Sequence, residues 1–342
     1  MSQELSERQK EILRYVVCNY IVSTKPVASR YIARHHQLHL SAATIRNTLA
    51  DLEELGYITH PHTSAGRVPT DKGYRFFVNW LMELQPPSIG EKGDIRRLLL
   101  EAGEADQVLH ETAKILGVIS HQLSVVSAPH LRTAVLAHLE LVSVSVNRIF
   151  VILTVRSGIV KTITMDVATE VSQEKLSDIA RLLNERLGGL TLETIRDTFA
   201  SRVKDYRDER TGLIDMFVRS ADRIFDDAPE RGRLHIGGTQ SLIEQPEYGD
   251  PDNVRTIIEL INNEGALASV LEKGEAFTGG ISVSIGGETG EERLKNYSII
   301  MSVYGVDDVH GTIGVIGPKR MNYAKVIPLV NYLAQEVSSS LS

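Results

Sequence analysis

Between Ser41 and Phe77 the chain reads SAATIRNTLADLEELGYITHPHTSAGRVPTDKGYRFF, and the hydrophobic period changes twice within it. Ser41 can accept a hydrogen bond from an early backbone N–H, so it suits a helix N-cap. Ile45, Leu49, Leu52 and Leu55 follow at i, i+4, i+7 and i+10 as one apolar stripe. At about 100° per residue, Ala43, Arg46, Asn47 and Ala50 fall on or near the opposite face. Small residues there allow close approach to a major groove, and Arg and Asn are the side-chain types that read guanine and adenine edges. Asp51, Glu53 and Glu54 crowd the C-terminal half, where they repel phosphates, so the N-terminal half is the end that enters. Gly56 stands where a C-cap glycine belongs.

Tyr57-Ile58-Thr59 and Arg67-Val68-Pro69 then flank HPHTSAG, a Pro/Ser/Gly turn cluster that reads as a short hairpin. His62, Thr63, Ser64 and Arg67 carry donors at or near its tip, suited to phosphate oxygens or a minor groove. Thr70 caps a further helix with Gly73, Tyr74, Phe76, Phe77 and Trp80, whose aromatics are expected to pack under the hairpin. Lys72 and Arg75 are expected near the backbone of bound DNA. Upstream, Ser6 caps a helix running to about Tyr20, with Ile12, Leu13, Val16, Val17 and Tyr20 inward. Lys25-Pro26 opens a second helix with Val27, Ile32 and Ala33 inward, and Ser29, Arg30 and Arg34 free to meet phosphate. Three helices, a turn and a basic hairpin in this order make a winged helix-turn-helix, a DNA-binding module. The rival reading is a plain helix and hairpin inside an α+β enzyme.

Longer strings carry a family resemblance. ERQKEIL, YIVSTKPVASRYIAR, LSAATIRNTLADLEELGYI and PHTSAGRVPTDKGYRFFV resemble the bacterial heat-inducible transcription repressor family, as do LNERLGGLTL, IGGTQSLIEQPEY and GTIGVIGPKRMNYAKVIPLVNYLA further on. The resemblance spans nearly the whole chain. It implies a repressor of chaperone operons that binds an inverted-repeat operator as a homodimer and is kept active by the chaperonin.

Charge fits such a protein once partitioned. Residues 1–85 hold 10 Lys+Arg against 8 Asp+Glu, and the remainder 27 against 36, so a reader of +2 sits beside a body of −9 in a chain of net −7. An acidic body limits nonspecific DNA binding while the reader makes local phosphate contacts. With 42% hydrophobic and 24% charged residues, the chain of 342 residues has material for two or three domains. A single cysteine, Cys18, excludes a disulfide framework, and its apolar surroundings YVVCNY point to a buried, inert thiol. The polar N-terminus and the lack of an apolar run of about 18 residues argue against a signal peptide or membrane span, leaving a cytoplasmic, nucleoid-associated protein as the expectation.

Residues 85–93, QPPSIGEKG, form a linker after a reader domain of 1–85. Ile95, Leu98, Ala102, Ala105, Leu109, Thr112, Leu116, Ile119 and Leu123 then alternate spacings of three and four, which suits either a coiled-coil-like dimer contact or a long helix lying on a sheet. The small residues and Gly103 and Gly117 favour packing on its own domain with some role in pairing subunits. From Thr133 to Val167 the period becomes that of strands, an antiparallel meander through IFVILTV and IVKTITMDV. Strands resume between about 277 and 317, and a closing helix carries Val326, Val330, Leu333, Val337 and Leu341, with Pro328 marking a kink or restart. A charged helical block at 172–235 interrupts the two strand groups. The fold class is therefore α+β and multidomain, and the resemblance implies a GAF-like sheet domain (94–171 and 236–342) interrupted by an inserted dimerisation domain (172–235).

No GxSxG, HExxH, Walker A or Rossmann string occurs, so the sequence offers no catalytic residue and no cofactor. GGISVSIGGETGEE is glycine-rich but lacks the Lys-Ser/Thr of a phosphate loop, and IGGTQSL reads as a turn. His35, His36 and His39 have no carboxylate or thiol beside them and are read as a polar turn, not a metal site. Two rivals remain open: a metabolite-responsive regulator with the same reader and a ligand-binding sheet domain, and an enzyme with an accessory DNA-binding domain.

Overall fold

The computed structural model describes residues 5–35, 40–61, 66–167, 170–205, 212–225, 234–275, 280–306 and 309–341. The chain divides into two compact units, one of residues 1–127, 234–303 and 312–337, the other of 128–233, 304–311 and 338–342.

The first unit begins with the reader. Helix α1 (Glu7–Ser23) starts on a reciprocal cap in which Ser6 and Gln9 bond each other's backbone, and it buries Ile12, Leu13, Val16 and Val17. Cys18 lies on its exposed face, contrary to the expected buried thiol, because it is turned away from that stripe. Helices α2 (Ser29–His35) and α3 (Ala42–Glu54) follow, then strands β1 (Ile58–Thr59) and β2 (Val68–Pro69), paired antiparallel, and helix α4 (Asp71–Phe76). Val27 adds a single β-bridge, exchanging two 2.8 Å backbone hydrogen bonds with Arg67. Gly66 is required by that approach, since a Cβ there would lie 2.6 Å from the Pro26 and Val27 backbone. Tyr74 and Phe77 are buried beneath the hairpin as expected, but Trp80 is 75% exposed because the helix turns it outward in a π-turn at Phe77–Leu81.

Helices α5 (Ile89–Ala102) and α6 (Ala105–Ser120) come next, followed by strand β3 (Leu123–Ser127). The regular apolar spacing is divided between two helices, because Gly103 adopts φ +71° and breaks it. Helix α6 approaches the sheet so closely that a Cβ on Gly117 would meet Gly238 N at 2.3 Å, which accounts for the glycines of IGGTQSL.

In the second unit, β4 (Leu136–Ser145), β5 (Arg148–Val155) and β6 (Val160–Asp166) form the expected antiparallel meander. It does not join the later strands. Leu139, Leu141, Val151, Leu153 and Ile163 share one core with α7 (Gln173–Leu187), α8 (Leu192–Val203), α9 (Leu213–Arg219) and α10 (Ala221–Phe225). The expected boundary at 171/172 therefore falls inside a single core, and the interrupting unit begins near residue 128. Side-chain amides close the outer edge of β4. Asn184 accepts from Leu139 N at 2.7 Å and donates to Leu139 O at 2.7 Å, while Gln173 accepts from Ser143 N at 3.0 Å and donates to Leu141 O at 2.9 Å. Those amides take the place of a neighbouring strand and leave the edge unable to recruit one.

The chain then returns to the first unit through β7 (Leu234–Gly237), α11 (Thr239–Ile243), α12 (Pro251–Asn262), α13 (Glu264–Glu275), β8 (Ile281–Ile285), β9 (Tyr297–Val306), β10 (Val309–Pro318) and α14 (Tyr323–Leu341). Its sheet runs β7-β3-β10-β9-β8, with β3 at its interior beside β10, although β3 ends at Ser127 and β10 begins only at Val309. Leu123, Val125, Ile299, Met301 and Ile316 on one face share a core with Ile257 and Leu260 of α12 and Leu267, Val270 and Leu271 of α13. Pro328 sits inside the early part of α14. Among the described residues no helix is long and apolar enough to cross a membrane.

Candidate nucleic-acid interface

Helix α3 is two-faced as its period requires. Ile45, Thr48, Leu49 and Leu52 are buried, while Ser41, Ala43, Arg46, Asn47 and Ala50 are exposed. Ser41 Oγ accepts from Thr44 N at 3.1 Å and lies 2.9 Å from Thr44 Oγ1, so these two hydroxyls are partly occupied in starting the helix. Thr48 Oγ1 bonds back to Thr44 O at 3.1 Å, which lets a polar residue stand on the buried face. What remains outward is a shallow surface of two alanines with one guanidinium and one amide, the shape and chemistry of a base-reading helix. On α2, Arg30 is exposed and Ser29 half-buried. His62, Thr63 and Ser64, expected at the hairpin tip, lie outside the described residues.

Three expected phosphate contacts have partners within the chain. Arg67 Nη2 is 2.7 Å from Glu53 Oε2, and Glu53 also engages His60 Nδ1, so one carboxylate on α3 holds both sides of the hairpin. Lys72 Nζ donates to Leu55 O at 2.7 Å and sits 4.3 Å from the centre of the Tyr57 ring. It supplies positive charge to the C-terminal end of α3, where the helix dipole favours a cation. Arg75 turns away from the hairpin and grips Glu288 with both Nε and Nη2, with a further 2.5 Å bond to Val283 O. Arg67 thus braces the hairpin within the reader and Arg75 ties α4 to the sheet body, in place of the free positions expected of them at the phosphate rail.

Glycine decides how α4 fits. Gly73 lies so close to Tyr57 that a Cβ there would stand 2.0 Å from its carbonyl oxygen. Thr70 Oγ1, which caps α4, also donates to Gly56 O at 2.7 Å and so ties that helix to the end of α3. The Tyr57 and Phe76 rings meet edge to face at 5.3 Å. Burial holds the Tyr74 and Tyr323 hydroxyls protonated, and their rings lie 6.0 Å apart. The partners Glu53, Glu288 and Lys319 had no sequence signal of their own. Only the i, i+4 placement of Asp71 and Arg75 on one face of α4 hinted at a charged contact there.

Two family profiles match the chain. The profile described as "Winged helix-turn-helix transcription repressor, HrcA DNA-binding" matches residues 4–80, and that described as "HrcA protein C terminal domain" matches residues 106–327. The chain belongs to the HrcA family of heat-inducible transcription repressors. It is 42% identical over 352 residues to the heat-inducible transcription repressor HrcA of Chlorobium phaeobacteroides (strain BS1), covering 100% of both chains. A second relative of that name, from Chlorobium chlorochromatii (strain CaD3), is 41% identical over 343 residues, 99% of this chain and 98% of the other. A crystal structure of a hypothetical protein at 2.2 Å resolution superposes with a TM-score of 0.59 at 23% identity over 99% of each chain, a likeness of fold alone. Membership makes this chain a transcription repressor with a winged-helix DNA-binding domain, not an enzyme.

Proposed function

We propose that the protein binds an inverted-repeat operator as a homodimer, each protomer placing one α3 in one half, and represses chaperone operons in the bacterial cytoplasm at the nucleoid. The observation that carries this reading is the outward face of Ala43, Arg46, Asn47 and Ala50 set against a fully packed opposite side. Arg46 and Asn47 are the base readers, with Ala43 and Thr44 beside them, and Ser29, Arg30 and the hairpin tip at His62, Thr63 and Ser64 hold the backbone. Two copies multiply the modest attraction of a reader of only +2. The five-stranded unit is read as the GAF-like domain and the 128–233 unit as the inserted dimerisation domain. Half-exposed Val142, Phe150 and Ile152 on the open face of its meander support a second copy packing there. Regulation by chaperonin belongs to the same proposal, as a folding aid that maintains the active dimer population.

A footprint on the DNA upstream of the chain's own gene tests the core of this reading. Two symmetric protected halves are expected, and protection of one unpaired site refutes it. Heating the purified protein with and without chaperonin while following operator binding tests the regulation, which fails if chaperonin changes nothing. A metabolite-responsive regulator with the same reader is the second reading. A cleft of about 650 Å³ in the first unit favours it, lined among others by Tyr20, Asp71, Lys72, Tyr74, Lys319 and Arg320. A small molecule that shifts operator affinity or melting temperature selects that account.

A further inference from the structure

The glycine-rich string GGISVSIGGETGEE, which fits no phosphate loop, has a partner inside the first unit. Its turn at Gly286–Thr289 receives α4 of the reader. Gly286 adopts φ +55°, which L side chains rarely adopt, and a Cβ there would lie 2.2 Å from Asp71 Oδ2, so any other residue would displace the Asp71 carboxylate. Asp71 Oδ2 accepts from Gly287 N at 3.0 Å, and its Oδ1 is 2.7 Å from Lys319 Nζ. One turn further along α4, Arg75 Nε donates to Glu288 Oε1 at 2.9 Å. Glu288 is itself aimed, since its Oε2 accepts from Ile285 N at 2.9 Å. Arg320, next to Lys319, pairs with Glu247 through two nitrogens and donates to Ile21 O, near the end of α1, at 3.2 Å. Helix α4 of the reader is therefore held by two turns of the sheet body through alternating charges, and the end of α1 by one guanidinium–carbonyl bond.

We infer that the Gly286–Thr289 turn and the Lys319–Arg320 segment form a seat for the reader, and that Asp71, Arg75, Glu288 and Lys319 are positioning residues that orient α3 for operator recognition. Bidentate arginine–carboxylate contacts fix angle as well as distance, so such a seat transmits the body's orientation to the reading helix. The side chains of both pairs are only about a third exposed (29% and 37% for Arg75 and Glu288, 31% and 37% for Lys319 and Asp71), so solvent screens them less than ordinary surface pairs. A dimer gains from its second half-site only when both readers are held at the operator's spacing, and that gain disappears when geometry forbids simultaneous contact.

This inference rests on the paired-reader function proposed above, and the variant Glu288→Gln with Lys319→Gln tests it. The double change leaves net charge unaltered, keeps an acceptor for Ile285 N, and alters no residue assigned to DNA. Binding is measured on a duplex carrying the full inverted repeat and on one carrying a single half, and amide exchange is followed at residues 285–289. The seat predicts a loss of about tenfold or more on the full repeat, unchanged affinity for the half, and faster exchange at the turn. Equal losses on both duplexes place the residues at the DNA surface and overturn it; tighter binding to the full repeat makes the contact inhibitory and overturns it as well. Wild-type exchange and wild-type affinities in the variant refute the seat outright. Should wild type itself gain nothing from the second half, the paired-reader function fails instead, and the exchange rates alone decide the seat.

Discussion

Two glycine-to-alanine changes in two helices of the same unit should move stability in opposite directions. At Gly73 a methyl group would stand 2.0 Å from Tyr57 O, where real contacts do not fall below about 3.0 Å, so α4 must retreat by roughly 1 Å. The obstacle is backbone and cannot swing away. Retreat stretches the 2.7 Å bond from Thr70 to Gly56 O and loosens the Tyr57–Phe76 contact. Overpacking of this kind costs ~1–3 kcal/mol and a weakened hydrogen bond about 1 kcal/mol, against a helix-propensity gain of about 1 kcal/mol for replacing glycine. The net is a loss of ~1–3 kcal/mol. Gly93, inside α5, has nothing within 4 Å of an added Cβ, so Gly93→Ala should gain up to about 1 kcal/mol. Thermal and urea unfolding report both, at about 2–4 °C of Tm per kcal/mol. Equal effects of the two substitutions, or a Gly73→Ala protein as stable as wild type, refute the close packing of α4 on the hairpin.

Arg46→Ala should weaken operator binding by ~1–3 kcal/mol while leaving Tm in place, because the side chain is exposed; a mobility-shift titration matching wild type removes Arg46 from the readers. Asn184→Leu should cost ~1–3 kcal/mol by orphaning Leu139 N and O, and should make the protein associate with rising concentration through the opened β4 edge, as light scattering would show. His235 is buried and desolvation depresses its pKa below 6.5, so the unfolded chain binds its proton first as pH falls. Its contribution is therefore complete above about pH 7 and is lost as pH falls through 6.5 toward the folded value; His235→Gln should flatten the urea midpoint over that window, and an unchanged slope refutes the assignment.

What the sequence made legible is what local period controls. The faces of α3 and the caps at Ser41 and Thr70 follow from neighbours within a few residues, and the structure places them accordingly. Cys18 shows the limit of reading a run without its angle. Helical rotation turns it away from the buried side of Val16 and Val17, although the three stand next to one another in one apolar string. The meander's membership could not be read, because alternating strands look the same whichever sheet or helices cover them. Only the shared core of Leu141 and Val151 with Leu176 and Ile179 assigns it to the second unit. The partner of Arg75 lies 213 residues away, beyond any local pattern.

The engagement of Arg67, Lys72 and Arg75 within the chain has a consequence for salt dependence. Each phosphate neutralised by a cation contributes about −0.9 to the slope of log affinity against log salt on duplex DNA. If these three side chains held phosphate, two readers would add six contacts and steepen the slope by about 5. Their carboxylate and carbonyl partners compete for the same charge, so the wild-type slope should be shallower by roughly that amount than a count of all reader cations implies. Lys72→Gln and Arg75→Gln sharpen the comparison: each can alter affinity through α3 or α4, yet neither should change the slope. A reduction of about 1 per reader for either variant shows that the side chain leaves its internal partner when DNA arrives, and returns it to the phosphate rail.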